Sequence, residues 1–302
     1  MLLNVIDYLE LPKTEASQAQ AQRLFHGRGH VYNGLNHVTI DWLPPVILIT
    51  LFAPEPIGDV EKLAKLLRAL LPNCKSVQLQ HRYQLQGVID VIWGEDIKRL
   101  IIQENNLKFQ VQLGQSRNTG LFLDMKNGRN WVQKHSKGKR VLNLFAYTCG
   151  FSVAAIAGGA LSVVNIDTSS PALTIGRENH RINQLSLKSV KFEKLNIFKS
   201  FGRIKKHGPF DLLICDPPTF QKGSVDIVKD YPKIIRRLKE FMAEDSMLLL
   251  CLNAPDLTQD FLTKNVSLLA SNYEFQQAIK APQVYRDAEG KGLKVLLFHA
   301  RS

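Results

Sequence analysis

Cysteine is scarce in this 302-residue sequence, and the spacing of its four cysteines excludes two kinds of site. They form no Cys-x-x-Cys pair and no Cys/His pairing, which argues against both a disulfide framework and a zinc site. The histidines at 26, 30 and 37 have no acid or cysteine to complete a ligand set, so no metal is predicted. Scattered cysteines are typical of a reducing compartment, and we expect the protein in the cytoplasm.

Long apolar runs are also missing. No run of about 18 apolar residues occurs, so no membrane-spanning helix and no membrane partner are predicted. Residues 1–20 are short of basic side chains and have no long apolar centre, unlike a secretory signal peptide. With 45% hydrophobic and 22% charged residues, the composition is that of a soluble globular protein.

Acidic residues are few in one part of the chain. Residues 1–120 hold 12 Lys+Arg and 11 Asp+Glu, residues 121–210 hold 15 and 4, and residues 211–302 hold 12 and 12. The formal net charge of +12 therefore arises almost entirely in the middle stretch, notably in 134–140, 188–194 and 202–208. A concentrated basic surface attracts polyanions, which favours a nucleic-acid partner. A solvated surface balanced by acids elsewhere is the other interpretation.

Two regions precede the main domain. Residues 1–37 combine a polar, helix-permissive stretch (12–23) with a turn-rich loop (26–34), and we treat them as an N-terminal extension. Residues 38–116 contain buried strands, a helix with apolar residues at helical spacing (59–71) and two β runs joined at Asn105-Asn106, a hairpin signal. They predict a small α+β domain.

Residues 117–302 alternate strands with helices, which predicts a parallel sheet wound on both faces. The five strands of this alternation are expected at 140–146, 162–167, 190–196, 210–216 and 246–253. The last two strands, 273–279 and 293–300, have no helix between them. They should form a hairpin in which one strand runs antiparallel to the rest, giving seven strands in all.

Ligands of such sheets bind at the carboxyl ends of the strands, near the point where the strand order reverses. The loop after the first strand, NLFAYTCGF (143–151), lacks the Gly-x-Gly-x-x-Gly pattern, so a ligand without a diphosphate fits better. The second strand ends on Asp167, which could accept both hydroxyls of a ribose or cap the following helix. The fourth ends on Asp216-Pro217-Pro218-Thr219-Phe220. This stretch is either a tight turn capped by an aspartate or a rigid edge that reads an unstacked base.

These stretches together resemble the class I S-adenosylmethionine-dependent methyltransferases, most closely those that modify bases of bacterial large-subunit ribosomal RNA. The matching segments are TGLFLDMKNGR (119–129), VLNLFAYTCGFSVAAIAGGA (141–160), VVNIDTSS (163–170), RENHRINQL (177–185) and FDLLICDPPTF (210–220). The resemblance covers residues 117–302. It implies an α/β, Rossmann-like seven-stranded methyltransferase sheet, doubly wound with the last strand antiparallel, preceded by a small α+β domain that helps to dock RNA.

The resemblance also implies a cofactor and a set of site residues. S-adenosylmethionine would be held by Phe122, Asp124, Asn143, Phe145, Tyr147, Thr148, Gly150, Asp167 and Asn196. The target base would be held by Asp216, Pro217, Pro218 and Phe220, with Asn253 orienting the ring. At 196 many relatives have an aspartate that contacts the adenine amine, and Asn196 departs from that pattern.

The type of base is predicted from the end of the fifth strand. The 5-methylcytosine type needs a cysteine nucleophile there, and the matching position in LLLCLNAPD (248–256) is Asn253. Cys251 lies two residues earlier, about 6–7 Å deeper along the strand, and is expected to be a buried core thiol. The 7-methylguanine type has an asparagine at this point, so guanine N7 is favoured. Transfer to an exocyclic amine is also compatible with these residues.

Other classes of protein stay open. The chain could be a 5-methylcytosine enzyme that uses Cys251, or a non-catalytic RNA-binding or assembly factor on a methyltransferase scaffold. An NAD-linked dehydrogenase is disfavoured by the missing glycine pattern and by the terminal strand hairpin. The expected partner is large-subunit ribosomal RNA or the ribosomal particle, and a homodimer is left open.

Overall fold

The computed structural model of the chain describes residues 1–84, 88–218, 225–288 and 290–301. The chain divides into two compact units. The first comprises Met1–Lys126 and Pro282–Gly290, and the second comprises Asn127–Ala281 and Lys291–Ser302. The division thus falls at Lys126/Asn127 rather than at 116/117. Residues 282–290, expected in the C-terminal domain, belong to the first unit.

Among its described residues, the first unit contains two α-helices and seven strands. They are α1 (Glu15–Gln18), α2 (Ile57–Leu70), β1 (Gln22–His26), β2 (Val38–Leu43), β3 (Val46–Leu51), β4 (Ser76–His81), β5 (Ile89–Gly94), β6 (Arg99–Glu104) and β7 (Leu107–Gln112). Short 3-10 helices span Leu2–Tyr8, Gly27–Gly29, Leu123–Met125 and Gln283–Tyr285.

Five of these strands form one sheet in the order β1-β2-β3-β4-β5. The β3–β4 pair is parallel and is connected by α2, while the other neighbours are antiparallel. Helix α2 buries Val60, Leu63, Ala64 and Leu67, a spacing of three and four residues that forms one apolar stripe. This stripe and the buried strands β2 and β3 form the core of the unit.

Residues 1–37 are integrated into this sheet. Strand β1 pairs antiparallel with β2, and Leu2, Val5, Leu24 and Phe25 belong to the core. The helix-permissive stretch 12–23 forms only the four-residue α1 before β1 begins. The polar sequence of this stretch did not indicate a strand, because only two of the five side chains of β1 are fully buried.

Strands β6 and β7 form the hairpin that the sequence predicts. They pair antiparallel from Arg99↔Gln112 to Glu104↔Leu107. The two turn residues, Asn105 and Asn106, have φ of 50° and 63°. Asparagine tolerates this left-handed conformation better than most residues, which explains why the pair stands at the turn.

The second unit contains the remaining elements. Its helices are α3 (Lys126–His135), α4 (Gly150–Ala157), α5 (Ser170–Ile182), α6 (Phe201–Lys205), α7 (Ile227–Ile235) and α8 (Gln259–Leu269). Its strands are β8 (Arg140–Leu144), β9 (Ser162–Asp167), β10 (Val190–Lys194), β11 (Phe210–Cys215), β12 (Met242–Leu252), β13 (Tyr273–Ala278) and β14 (Lys294–Ala300). Further 3-10 helices span Ile197–Lys199 and Leu238–Glu240.

Its seven strands form one sheet in the order β10-β9-β8-β11-β12-β14-β13. The pairs among β8 to β12 are parallel, and β14 is antiparallel to both of its neighbours. The predicted doubly wound sheet with an antiparallel last strand is therefore confirmed. The chain moves from β8 outward through β9 to β10 and then returns to β11, so the order reverses between β8 and β11.

Residues alternate between the two faces of this sheet. One face carries Leu142, Leu144, Leu213 and Cys215, which join the core formed with α6, α7 and α8. Helices α4 and α5 pack against the strands β8, β9 and β10. Helix α7 ends at Ile235, and β12 starts at Met242, four residues before the expected start at 246.

Candidate functional site

The residues at the carboxyl ends of the parallel strands lie in one row at this edge of the sheet. The last paired row runs through β9, β8, β11 and β12 at Ile166, Leu144, Cys215 and Leu250. One residue further along these strands come Asp167, Phe145, Asp216 and Cys251. Because neighbouring strands are about 4.8 Å apart, the backbones of Asp167 and Asp216 are separated by roughly 10 Å. This edge flanks the reversal point between β8 and β11, where such sheets bind ligands.

The loop after β8 contains three non-glycine residues in the left-handed region. Phe145, Tyr147 and Cys149 have φ of 58°, 48° and 62°. Each costs about 1–3 kcal/mol, so the surroundings must hold the loop in place. Ala146 N donates to Ile166 O at 3.0 Å, and Cys149 N donates to Ala146 O at 2.7 Å. Strain of this kind concentrates at ligand-binding sites, which supports a functional role for the loop.

Asp167 is held at the end of β9 by two backbone amides. Its Oδ2 accepts from Tyr147 N and its Oδ1 accepts from Ser169 N, both at 2.8 Å. The following helix is capped by Ser169, whose hydroxyl accepts from Ala172 N at 3.3 Å, so Asp167 is not the helix cap. Each carboxylate oxygen has a further acceptor position. Asp167 can therefore still take the two hydroxyls of a ribose.

Asn143 belongs to a buried hydrogen-bond network beneath the loop. Its amide donates to Asn165 Oδ1 at 2.9 Å, and Asn165 donates to Ser152 Oγ at 2.9 Å. Ser152 Oγ lies 3.0 Å from His180 Nε2, and His180 Nδ1 lies 2.7 Å from Gly176 O. Burial lowers the pKa of His180, so the neutral ring donates from Nδ1 and accepts at Nε2. The network locks β8, β9, α4 and α5 together below the carboxyl edge.

The structure also locates three further predicted cofactor residues. Thr148 is buried and its carbonyl accepts from Asn179 Nδ2 at 2.9 Å, which anchors the loop to α5. Gly150 is the first residue of α4. Asn196 follows β10, is exposed and accepts from Lys199 N at 3.3 Å, so it caps a 3-10 helix. All three lie just beyond carboxyl ends of parallel strands.

Asp216, Pro217 and Pro218 follow β11 without a gap. Asp216 is partly exposed and Pro217 is buried. Phe220, predicted to stack on the base, lies outside the described residues. The prolines fix two φ angles and remove two backbone donors, so the chain leaving Asp216 is stiff.

Tyr231 is a buried residue near this edge that the sequence did not single out. Its hydroxyl lies 3.1 Å from Cys215 O and 3.0 Å from Cys251 O, so one proton is shared between the ends of β11 and β12. Burial is the main cause that raises its pKa well above the ordinary value. In the sequence, Tyr231 is one member of the apolar stripe of α7. A tyrosine in such a stripe more often packs in the core than belongs to a functional site.

Cys251 and Asn253 differ in exposure. Cys251 pairs with Val295 inside the sheet and its side chain is fully buried, as expected of a core thiol. Asn253 is exposed and lies just beyond Leu252, the last residue of β12. At this strand end the side chain accessible to solvent is therefore that of Asn253, and the thiol of Cys251 is not accessible.

The other two cysteines near this edge are also buried. Burial, followed by the carboxylate of Asp167, raises the pKa of the Cys149 thiol far above its ordinary range. Burial likewise raises the pKa of Cys215. Both remain protonated near neutral pH, so they pack as small apolar groups and do not act as nucleophiles.

Phe122 and Asp124 belong to the first unit. Phe122 is 45% exposed and precedes the 3-10 helix Leu123–Met125, in which Asp124 is the acidic residue. Their role in the cofactor site stays a prediction.

A cleft of about 670 Å³ also lies in the first unit, and Lys13, Arg23, Lys126 and Tyr285 are among its lining residues. It contains none of the predicted site residues. Over the described ranges, no three of His, Cys, Asp and Glu come together as a metal site. The same ranges contain no helix long and apolar enough to cross a bilayer.

The reversed parallel sheet, its antiparallel last strand and the ribose-competent Asp167 define an α/β protein that binds a nucleoside-containing cofactor without a diphosphate loop. The sequence model of the S-adenosylmethionine-dependent methyltransferases matches residues 22–299. The chain belongs to this family, and S-adenosylmethionine is its cofactor.

Individual relatives agree with this assignment. The ribosomal RNA large subunit methyltransferase I of Aeromonas salmonicida is 32% identical over 203 residues, which are 65% of this chain and 51% of that protein. The protein of the same name from Shigella boydii is 28% identical over 280 residues, 87% of this chain and 71% of its own. A crystallised methyltransferase in complex with SAH superimposes with a TM-score of 0.84 at 26% identity, covering 93% of this chain and 75% of that one. The chain spans about half the length of the Aeromonas relative.

Proposed function

We propose that the chain is an S-adenosylmethionine-dependent RNA methyltransferase that acts on a base of large-subunit ribosomal RNA, with guanine N7 as the target atom. The observation that carries the proposal is the row at the carboxyl edge. In that row Asp167 and Asp216 lie two strands apart on either side of Phe145. We assign one carboxylate to the cofactor ribose and the other to the target base.

The substrate class is supported by the relatives and by the charge. Both relatives described above are named ribosomal RNA large subunit methyltransferase I. The formal net charge of +12 suits a polyanionic substrate. Ribosomal RNA lies in the cytoplasm, and we propose the same compartment for this chain.

The cofactor site is proposed from the loop 145–149 and its partners. Asp167 would accept the ribose hydroxyls, while the strained loop and Gly150 at the start of α4 would face the amino-acid end. Asn143 holds the loop from beneath through its bond to Asn165. When bound, S-adenosylmethionine supplies a methyl group on a positively charged sulfur, and a lone pair can take this group directly.

The proposed choice of guanine N7 follows from which groups the site offers. Guanine N7 carries a lone pair, so no side chain has to remove a proton or bond to the base. Asp216 would accept from the ring N1–H and the exocyclic amino group, which fixes the orientation of the base. Its negative charge would also favour the cationic product. Asn253 and Phe220 are proposed to complete the base pocket.

The second candidate is a 5-methylcytosine enzyme that uses Cys251. Such an enzyme must add a thiolate to carbon 6 of cytosine. Cys251 is fully buried and paired with Val295 within the sheet, so it would have to leave its position to reach a base. This burial is the reason that guanine N7 is preferred.

A comparison of modified nucleosides tests the proposal. Ribosomal RNA from a strain lacking the gene would be digested and analysed by mass spectrometry beside the parent strain. Loss of one 7-methylguanosine is expected, and the wild-type gene should restore it. A Cys251→Ala gene should restore it equally well.

Other results would contradict the proposal in distinct ways. Loss of a 5-methylcytidine that Cys251→Ala cannot restore would make Cys251 the nucleophile. An unchanged set of ribosomal nucleosides, with the RNA still bound by the purified protein, would favour a non-catalytic factor on a methyltransferase scaffold.

A further inference from the structure

Most residues of the three basic stretches lie toward the edge of the sheet opposite the candidate site, while Lys194 pairs with Asp167 at the carboxyl edge. Residues 134–140 lead into β8, residues 188–194 enter and include β10, and residues 202–208 lead into β11. These three strands are parallel members of one sheet, so their amino ends share one edge. The row that contains Asp167 and Asp216 lies at the carboxyl edge.

Side-chain contacts show that the stretches are neighbours in space. Lys191 Nζ lies 3.1 Å from His207 Nδ1, which joins the second stretch to the third. Arg140 forms an ion pair with Asp211 at 2.8 Å, which joins the first stretch to the start of β11. The three stretches are therefore neighbours along this side of the sheet.

The acids of this surface are already paired. Asp211 accepts from Arg140, and Glu193 accepts from Arg203 at 2.7 Å. Between Asp124 and Asp167 the sequence contains no acidic residue at all. Five exposed lysines, here named the amino-edge lysines, remain in excess: Lys134, Lys137, Lys188, Lys205 and Lys206. Among the ion pairs that the structure describes, none involves these five.

The surface has a boundary on the β12 side of the sheet. Glu244 and Asp245 lie at the amino end of β12, and Asp245 forms an ion pair with His299 at 3.0 Å. Acidic groups would repel a polyanion there.

We infer that the amino-edge lysines bind the phosphate backbone of the RNA substrate as a second contact, remote from the methyl-transfer site. This inference rests on the proposed function and adds the kind of RNA that the enzyme accepts. A strand of five residues such as β8 is roughly 16 Å long, at about 3.3 Å per residue. RNA that touches both edges must pass around the sheet, so the substrate is a folded RNA and not a short single strand. Lysine ammonium groups that contact phosphates release counterions, which makes such binding depend on salt.

Matched charge reversals in the full-length protein test this inference. The test variant combines Lys137→Glu with Lys206→Glu. The control combines Lys65→Glu on α2 with Lys264→Glu on α8, which are exposed lysines outside the basic stretches. Both variants lower the net charge equally, and both should bind S-adenosylhomocysteine as the wild type does, which verifies folding of the catalytic unit.

Binding to a transcript of large-subunit ribosomal RNA is then measured over a range of salt concentrations. The test variant should bind about tenfold more weakly per lost contact at about 0.1 M salt, with a logarithmic salt slope smaller by about 1 per lysine. The control should stay within about twofold of the wild type, since it removes no phosphate contact. A short single-stranded oligonucleotide should bind equally to wild type, test variant and control.

Each contrary outcome has a separate meaning. Equal binding of the transcript by test and control variants would overturn the second contact while leaving the proposed function intact. A test variant that binds naked RNA normally but no longer binds the ribosomal particle would overturn it in favour of an acidic protein surface. If the wild type does not bind the transcript at all, the proposal that ribosomal RNA is the substrate would itself be contradicted.

Discussion

The backbone amide of Tyr147 donates a 2.8 Å hydrogen bond to the carboxylate of Asp167. This bond joins the loop after β8 to the end of β9, although the two residues are twenty positions apart. The residue proposed to hold the ribose is therefore also the residue that holds the strained loop in place.

Replacing Asp167 by asparagine should weaken cofactor binding. The amide keeps one acceptor oxygen but places an NH₂ group against a backbone donor and removes the charge. A charge-assisted hydrogen bond is worth about 1.5–3 kcal/mol, so affinity for S-adenosylhomocysteine should fall by roughly tenfold to a hundredfold in calorimetric titrations. As a control, Ser169→Ala removes the adjacent helix cap and should cost about 1 kcal/mol of stability without changing affinity. Unchanged affinity in Asp167→Asn would limit Asp167 to a structural role.

Replacing Asp216 by asparagine should slow methyl transfer and leave cofactor binding unchanged. The substitution removes the negative charge that is proposed to favour the cationic product. Loss of one such electrostatic group costs about 10²–10³ in rate, to be measured in single turnovers on ribosomal RNA from the deletion strain. Asp211→Asn is the matched control, because Asp211 pairs with Arg140 at the other end of the same strand. The role assigned to Asp216 would be wrong if both variants kept the wild-type rate.

Removing the hydroxyl of Tyr231 should impair catalysis as well as stability. Tyr231→Phe removes the hydroxyl that bonds the carbonyls of Cys215 and Cys251, which costs about 1–3 kcal/mol of unfolding free energy. It also loosens the strand end that carries Asp216, so the single-turnover rate should fall.

Tyr273→Phe separates the two effects of the Tyr231 substitution. The hydroxyl of Tyr273 bonds Ser246 Oγ at 2.7 Å near the amino end of β12. This variant should lose comparable stability and keep its rate. Equal rates for both phenylalanine variants would show that Tyr231 acts on stability alone.

The stability of the first unit should depend on the protonation of His26. Burial, followed by the charge of Arg23, lowers the pKa of His26 from 6.5 to about 3, and His26 Nδ1 lies 2.7 Å from Arg23 Nη1. The unfolded chain takes up a proton below about pH 6.5 while the folded chain does not, so stability is full above that pH and falls toward pH 3. The loss is up to about 1.4 kcal/mol for each pH unit.

His26→Asn tests this dependence. Asparagine keeps an acceptor toward Arg23 and cannot titrate. Between about pH 7.5 and about pH 5, urea unfolding of the wild type should lose roughly 2 kcal/mol more than unfolding of the variant. His180 is present in both proteins, so its contribution cancels. Parallel pH profiles would assign the low-pH loss to other groups.

Several elements could be predicted from the sequence because their signals are local. The turn at Asn105-Asn106 and the alternation of strands and helices after residue 117 appear as short-range patterns of turn formers and apolar residues. Asp167 and Asp216 were identified because each stands at the carboxyl end of a buried strand. No knowledge of distant partners was needed for either.

Other features could not be predicted because they depend on partners far apart in the chain. Strand β1 is polar in sequence and is recognised only by its pairing with β2. Residues 282–290 follow β13 of the second unit but belong to the first. The bridge made by Tyr231 links two carbonyls 16 and 20 residues away, and nothing near Tyr231 marks it.

The sequence by itself determined the class of the protein: a wound parallel sheet with an antiparallel last strand, acidic residues at two strand ends and a strongly basic middle stretch. Those properties follow from local hydrophobic patterns and composition, which do not require the fold. Only the tertiary structure decided that Asp167 and Asp216 lie two strands apart, that Tyr231 bridges the ends of β11 and β12, and that Lys191 of one basic stretch contacts His207 of another. The register of the strands decides these relationships, because it brings together residues that are distant in sequence.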